Sequence, residues 1–171
     1  MKIIFAFSFL FFGLWSAAQK DNTISKIRKT VERINKDSGY IIKKLDSGEF
    51  LEQMPDNGAE LTGYFEKGQL VKIVEWIGLS SCVNVTEYYL QNDKLIFTYT
   101  KGSEWLYNDS LKKFDCSKLN KTMECRFYFD NDKILKSILN GSTRCSGTPS
   151  VDFAKDFIDE CSKYRKLLVQ K

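Results

Sequence analysis

Histidine is absent from the 171-residue chain. An imidazole is the usual general base of enzymes, a common metal ligand and the side chain that titrates nearest neutral pH. Its absence argues against a histidine-dependent enzyme, an imidazole metal site and a histidine pH switch. No other catalytic motif stands out, so we expect a protein that is not an enzyme and that carries no metal and no cofactor.

Blocks of like charge are also missing. The 26 Lys and Arg residues and the 22 Asp and Glu residues are spread along the whole chain. A nucleic-acid-binding surface gathers its basic residues into a patch or stripe, and no such cluster occurs. We therefore expect the partner to be a small molecule or an extracellular protein, and not a nucleic acid.

Long apolar runs are confined to the N-terminus. Lys2 precedes the apolar segment IIFAFSFLFFGLW, and the small residues SAA follow it. This order predicts a signal peptide over residues 1–18 that is cut after Ala18. An uncleaved anchor is the alternative, but the run is short for a bilayer span. We expect a periplasmic or secreted protein, not inserted in a membrane after cleavage, with a single domain over residues 19–171.

Five cysteines follow the predicted signal peptide, and none forms a C-x-x-C motif. An oxidising compartment favours disulfides, and an odd count leaves one thiol over. We expect Cys116 to pair with Cys125, which would staple the end of an insertion, and Cys145 to pair with Cys161. Cys82 is then left free or links two chains into a dimer. The sequence alone permits fifteen such arrangements of two bridges.

Three segments of similar pattern dominate the middle of the chain. They are GYFEKGQLVKIVEWIG (63–78), EYYLQNDKLIFTYTKG (87–102) and RFYFDNDKILKSILNG (126–141). In each segment two apolar arms flank a polar two-residue turn, either Lys-Gly or Asn-Asp, which is typical of a β-hairpin. The pattern therefore predicts six strands with tight pairing inside each hairpin.

Amphipathic segments lie at both ends of the predicted domain. Residues 22–36 carry a narrow apolar stripe, and residues 149–169 carry a broad one after Pro149 at the expected helix start. Residues 40–45 add a candidate first strand. We expect an α+β fold in which a curved antiparallel sheet of about six or seven strands, a hairpin meander, is packed on one face by both helices.

An amphipathic helix followed by TGYFEKGQLVKIVEW and EYYLQNDKLIFTYTKG resembles small exported proteins of Gram-negative bacteria that have no assigned activity. The resemblance extends from Glu60 to Gly141. It implies a fold of helices and an antiparallel sheet, and it supplies no catalytic residues. The spacing also echoes hairpin-repeat proteins of the MORN kind, but the unequal intervals between the hairpins argue against a strict solenoid.

We predict which residues pair across each hairpin by taking its two-residue turn as the centre. This register places Leu61, Trp76 and Phe97 on one face, which we expect to be the core, and Ile73 on the other. The second face also carries Glu and Arg and is expected to be half open to water. Residues 103–123 form an insertion that is long for a simple connection and is therefore expected to bind a partner or hold a short helix.

A tyrosine row is the first candidate site. Tyr64, Tyr89 and Tyr128 recur at matching positions of the three hairpins, and Trp105 lies in the insertion. Aromatic side chains on an open sheet stack against sugars or apolar ligands. The alternative is ordinary cross-strand packing, because tyrosine is common in strands.

A carboxylate pair is the second candidate site. Glu60 and Glu75 come opposite each other in the inferred register. Two facing carboxylates raise the cost of ionising each other, so they suit acid–base chemistry or the binding of a hard cation. We count both among the candidate ligand-binding residues. Two solvated residues near the sheet rim are the alternative.

The sequence thus favours an exported, non-enzymatic binding module of unknown ligand. A protein-interaction module, such as an inhibitor of an extracellular hydrolase, is the alternative. A hydrolase that uses the Glu60 and Glu75 carboxylates is the second alternative.

Overall fold

The computed structural model describes residues 11–170, with side chains from residue 19 onward. Residues 1–10 of the predicted signal peptide, and the side chains of its residues 11–18, lie outside the described part of the chain. Within that described part, no helix is long and apolar enough to cross a membrane.

Ten elements follow one another along the chain. They are α1 (Phe11–Lys36), β1 (Ile41–Asp46), α2 (Ser47–Phe50), β2 (Ala59–Glu66), β3 (Gln69–Gly78), β4 (Cys82–Gln91), β5 (Lys94–Asn108), β6 (Lys113–Asp130), β7 (Lys133–Gly141) and α3 (Phe153–Gln170). The seven strands form one antiparallel sheet, and their order in the sheet is their order in the chain. The predicted α+β fold with a hairpin meander and two terminal helices is confirmed. Helix α3 begins four residues later than predicted, after a turn in which Ser150 Oγ accepts a hydrogen bond from the Asp152 amide.

The predicted turns have positive φ at both central residues. Their φ angles are 50° and 81° at Lys67-Gly68, 50° and 62° at Asn92-Asp93, and 48° and 62° at Asn131-Asp132. Positive φ at both positions defines the type I′ turn, whose twist matches that of the strands it joins.

A β-bulge follows each of these turns. The residue pairing skips Val71, Ile96 and Leu135, one in each hairpin. One extra residue moves every later side chain of that strand to the other face. The face expected from the turn-centred register is therefore wrong for three residues. Ile73 lies on the same face as Leu61, and Trp76 and Phe97 lie on the opposite face.

The two helices cover opposite faces of the sheet, and the prediction that both pack on one face is wrong. Residues of α3, with Leu61, Ile73 and Tyr88 of the sheet, form one buried cluster. Residues of α1, with Tyr89, Phe97 and others of the sheet, form a second cluster. Because the bulges give both faces a run of large apolar side chains, each face needs its own helix.

Residues 103–123, the insertion that was expected to bind a partner or hold a short helix, contain no helix and instead extend β5 and β6. The neighbouring strands end early, since β4 begins opposite Glu104 and β7 ends opposite Met123. Residues 105–121 therefore project past the other strands as a two-stranded hairpin, which we name the β5–β6 arm.

The disulfide prediction is wrong. Cys82, at the start of β4, is bonded to Cys145 in the segment that joins β7 to α3, and Cys116, Cys125 and Cys161 are free. Cys116 and Cys125 lie nine residues apart on the same strand. Cys125 is paired with Thr100, and Asp115, the neighbour of Cys116, is paired with Leu106. Six residues of β5 at about 3.3 Å each put the two cysteines about 20 Å apart, far beyond bonding reach. In this structure Cys82 is therefore bonded within the chain, and it was expected to be left over.

Candidate functional site

A row of directly paired residues crosses the whole sheet on the α1 face. In order from β1 to β7 the row is Ile42, Tyr64, Lys72, Tyr89, Phe97, Tyr128 and Lys136. The three predicted tyrosines therefore do share one face. They do not stand side by side, because Lys72 separates the first two and Phe97 separates the last two.

The tyrosine row is covered by helix α1. Tyr89 and Tyr128 are only 1% and 5% exposed, and they pack in the cluster that includes Ile24, Ile27 and Ile34 of the helix. The face was expected to be half open to water, and for these two residues it is not. Much of the row is thus used for packing, as the alternative interpretation of the tyrosines held.

A cleft remains between the C-terminal half of α1 and the sheet. Its volume is about 430 Å³. It is lined by Arg28, Val31, Glu32, Asn35 and Lys36 of the helix and by Phe97, Arg126 and Tyr128 of the sheet. The Phe97 and Tyr128 rings, with centroids 4.9 Å apart, form an aromatic floor. A small ligand that entered here would contact one end of the predicted tyrosine row.

Arg28 connects the helix wall of the cleft to its floor. Its guanidinium carbon lies 5.6 Å from the centre of the Tyr128 ring, and its Nε donates a hydrogen bond of 3.4 Å to Tyr128 Oη. Such a cation–π contact is worth about 0.5–1 kcal/mol at an exposed site. In the part of the chain described by the structure, Arg28 has no carboxylate within ion-pair distance.

The other charged groups of the cleft are already paired. Lys36 Nζ lies 2.7 Å from Glu32 Oε1, and Arg126 Nη2 lies 2.9 Å from Glu124 Oε1. Hydrogen bonds to Glu124, first from Lys121, lower the pKa of this carboxyl to about 2. Glu124 is therefore a stable anion, and its single charge is shared between Arg126 and Lys121.

A polar network holds Asn35, one of the helix residues that line the cleft. Tyr89 Oη donates to Asn35 Oδ1 at 2.9 Å, and Lys72 Nζ donates to the same oxygen at 3.1 Å. Lys72 also forms an ion pair of 2.9 Å with Glu87, and burial raises the pKa of Tyr89 well above its usual range. The network fixes the orientation of the Asn35 side chain at the cleft wall.

Tyr64 and Trp105 do not line the cleft. Tyr64 is half-buried and packs edge-to-face against Tyr40, with ring centroids 5.9 Å apart. Trp105 lies at the base of the β5–β6 arm, where its amide donates to Ser81 O. Its indole Nε1 is buried without a hydrogen-bond partner in the described residues. The structure therefore places Tyr128 in the cleft, places Tyr89 behind it as a hydrogen-bond partner of Asn35, and leaves the other two aromatic candidates outside.

Glu60 and Glu75 do not face each other, contrary to the sequence interpretation. Glu75 is paired with Leu61, and Glu60 is paired with Trp76. Since neighbouring residues of a strand point to opposite faces, the two carboxylates are on different sides of the sheet. Glu60 is bound by Lys44 at 3.0 Å near the sheet edge.

The carboxylate that faces Glu75 belongs to Glu160 of helix α3. Tyr88 Oη donates to Glu160 Oε2 at 2.7 Å and lies 3.4 Å from Glu75 Oε2, and Tyr164 Oη donates to Glu75 Oε1. Glu75 is only 6% exposed. Burial raises the pKa of Glu75 to about 7, with help from the negative charge of Glu160 and against the hydrogen bonds from Tyr164 and Tyr88, which lower it. Burial also raises the pKa of Glu160. The two carboxyls can thus hold a proton between them near neutral pH.

This carboxylate pair borders a second pocket, of about 300 Å³, under α3. Its polar lining includes Asn84, Ser146 and Asp156, and the Asn84 Oδ1 atom is buried without a partner in the described residues. No group of three or more His, Cys, Asp or Glu side chains in that same part of the chain is placed to hold a metal ion.

Sequence reasoning missed Arg28, Asn35, Arg126 and Glu160 as site residues. The sequence does contain one signal that could have identified the site residues of helix α1, namely their spacing along the chain. Arg28, Val31 and Asn35 recur at i, i+3 and i+7, so they form a second stripe beside the isoleucines of α1. No protein-family model, curated protein or solved structure matches the chain.

Proposed function

We propose that the protein is an exported, non-enzymatic binding module that holds a small molecule in the cleft between α1 and the sheet. The observation that carries the proposal is the cleft itself. Its volume of about 430 Å³ lies within the range of small-molecule sites, about 300–1,000 Å³. It also combines an aromatic floor with a few polar groups, the usual composition of such sites.

The order of the fold supports this use of the cleft. Phe97 and Tyr128 belong to β5 and β6 of the seven-stranded sheet, so the floor is rigid. The helix wall belongs to α1, which is joined to the sheet at only one end of the cleft, near Tyr40. A site between a rigid sheet and a terminal helix admits a ligand with little change in the sheet.

Export is supported by two features. The N-terminal 18 residues have the pattern of a signal peptide, and Cys82 and Cys145 are bonded as a disulfide. Disulfides persist in the periplasm and outside the cell, and they are rare in the cytosol.

Native mass spectrometry of the protein, purified from the cell envelope of its host, tests the proposal. The wild type is expected to retain a discrete small-molecule adduct of a few hundred daltons. The variant Val31→Trp fills the cleft with a larger side chain and is expected to lose the adduct. Val151→Trp adds the same side chain at an exposed position outside the cleft and is expected to keep it. An adduct that both variants keep would contradict the assignment of the site.

A protein-interaction role is the second candidate, and the β5–β6 arm favours it. The arm exposes several large apolar side chains at its surface, namely Leu106, Tyr107, Leu111 and Leu119. Beyond Trp105, whose amide donates to Ser81 O, no other strand among the described residues pairs with the arm, so its outer backbone groups can pair with another chain. An inhibitor of an extracellular hydrolase would use such an arm. A defined complex with a hydrolase of the culture medium, lost in Leu119→Lys and kept in Val31→Trp, would support this role.

A further inference from the structure

We infer that the ligand of the α1 cleft is an organic anion, a carboxylate or sulfonate carried on an aromatic or aliphatic body, and that Arg28 binds its charged end. This inference rests on the proposed function and specifies the class of ligand. It follows from the charge pairing, the hydrogen-bond geometry and the apolar floor of the cleft.

Charge pairing leaves the cleft with an excess of positive charge. Lys36 is paired with Glu32, and Arg126 shares the single carboxylate of Glu124 with Lys121. Arg28 has no carboxylate partner among the described residues. A ligand with a negative charge would therefore meet a guanidinium that no protein carboxylate occupies, whereas a cationic ligand would be repelled by it.

The hydrogen bond to Tyr128 orients the Arg28 side chain and leaves its other donors free for an anion. Its Nε is used by Tyr128 Oη, at 3.4 Å, which fixes the guanidinium at the edge of the aromatic floor. Its two Nη groups donate no hydrogen bond within the described residues, so they are free for a carboxylate or sulfonate. The Tyr128 hydroxyl, which accepts from Arg28, keeps its own proton to donate to the same anion.

An apolar body would rest on the floor of the cleft. Phe97 and Tyr128 are both nearly buried, and Val31 faces them from the helix. Contact with these groups removes apolar surface from water, which stabilises binding by about 25 cal/mol per Å². It also excludes water beside Arg28, and the attraction between unlike charges strengthens as the local dielectric falls.

Two fluorescent probes of nearly the same shape test the inference. The anion 1-anilinonaphthalene-8-sulfonate and the neutral N-phenyl-1-naphthylamine share one aromatic body and differ in the sulfonate. We expect the wild type to bind the anion about tenfold more tightly than the neutral probe, the difference that one charge-assisted hydrogen bond provides. Fluorescence titration of the folded protein gives both dissociation constants.

Substitution of Arg28 identifies the group responsible. Arg28→Gln is expected to reduce anion affinity about tenfold and to leave the affinity for the neutral probe unchanged. Arg28→Lys keeps the charge and is expected to restore part of the preference. Lys29→Gln removes the same charge from the next residue of the helix, which does not line the cleft, and is expected to have little effect.

The outcomes separate the inference from the proposed function. Equal affinity for both probes in the wild type would overturn the inference and leave the binding module standing. A preference for the anion that survives Arg28→Gln would overturn the assignment to Arg28. Failure of both probes to bind would overturn the inference and would count against the proposed function as well.

Discussion

The Arg28 guanidinium lies 5.6 Å from the centre of the Tyr128 ring, and this contact joins helix α1 to strand β6. The two residues are 100 positions apart in the chain. Together they form the corner of the cleft at which its aromatic floor meets its unpaired positive charge. The tyrosine row predicted from the sequence thus forms part of a site only together with helix α1, which covers the row and supplies Arg28.

Removal of the Tyr128 hydroxyl tests the role of this corner. Tyr128→Phe keeps the ring and loses both the bond from Arg28 Nε and the hydroxyl proton. We expect about a threefold to tenfold loss of affinity for the anionic probe, the usual effect of one hydrogen bond. Tyr107→Phe, on the exposed β5–β6 arm, is the matched control and should not change the affinity. Equal losses in the two variants would contradict the prediction.

The stability of the protein should decrease as the pH rises from 4.5 to 7. Burial raises the pKa of Glu75 from its ordinary value of 4.5 to about 7, so in this range the folded state binds more protons than the unfolded state. The protonated Glu75 carboxyl makes its full contribution to the free energy of unfolding below pH 4.5. About 3 kcal/mol of this free energy is lost as the pH rises from 4.5 to 7. Glu160, whose pKa is also raised, acts in the same direction.

Glu75→Gln is expected to remove most of this pH dependence and to gain stability relative to the wild type at pH 8. Glu60→Gln is the matched control. The pKa of Glu60 is lowered, first by a hydrogen bond from Lys44, so its contribution is lost only as the pH falls. Urea denaturation at pH 4.5, 6 and 8 measures the free energy of unfolding of the wild type and of the two variants. If the free energy of unfolding decreased with pH as steeply in Glu75→Gln as in the wild type, the proton bound by the folded state would not be held by Glu75.

The disulfide between Cys82 and Cys145 should be a main source of stability. It closes a loop with a sequence separation of 63 residues. The loop-entropy relation gives a stabilisation of about 4 kcal/mol for such a loop. The double variant Cys82→Ser, Cys145→Ser is therefore expected to melt far below the wild type. Cys116→Ser, which removes an exposed free thiol, is the control.

Peptide mapping under non-reducing conditions identifies the pairing independently of stability. We expect one linked peptide that contains Cys82 and Cys145, and alkylation of the other three thiols after unfolding. A peptide that links Cys116 to Cys125 would contradict the structure.

Gly141 should not tolerate any side chain. Its φ is +73°, and a Cβ at this position would lie 1.9 Å from the backbone oxygen of Thr122. Gly141→Ala is expected to destabilise the protein by at least about 2 kcal/mol, since both the strain and the overlap must be relieved by the backbone. Gly48→Ala is the control, because its Cβ meets no atom within 4 Å. Similar denaturation midpoints for the two variants would contradict this account.

Much of the fold could be predicted from the sequence because its signals are local. The turns Lys67-Gly68, Asn92-Asp93 and Asn131-Asp132 occur where they were expected, with the positive φ that such turns need. The apolar stripes of the two terminal helices were also visible. Local signals of this kind determine elements and their order, and here they were enough for the α+β class and the number of strands.

The faces of the sheet could not be predicted because the bulges leave no distinct mark in the sequence. Val71, Ile96 and Leu135 are ordinary strand residues, yet each shifts the register by one position. The shift moved Phe97 to the helix α1 face and Ile73 to the opposite one. It also gave both faces enough apolar surface to need a helix.

The candidate sites depended on contacts between distant parts of the chain. Glu75 was predicted to face Glu60, but the carboxyl that shares Tyr88 with it is that of Glu160 on α3, which no strand register could indicate. Arg28 reaches Tyr128 only after α1 packs on the sheet. The disulfide between Cys82 and Cys145 likewise joins two segments that the meander alone does not bring together.

The most direct test of the binding site is an NMR titration of the isotope-labelled protein with 1-anilinonaphthalene-8-sulfonate, followed through backbone amides and the Arg28 side-chain Nε–H. The account predicts that the largest chemical-shift changes occur at Arg28, Val31, Phe97 and Tyr128, and that they disappear in Val31→Trp. Changes confined to the pocket under α3, around Asn84 and Asp156, or to the β5–β6 arm would contradict the assignment of the site to the α1 cleft.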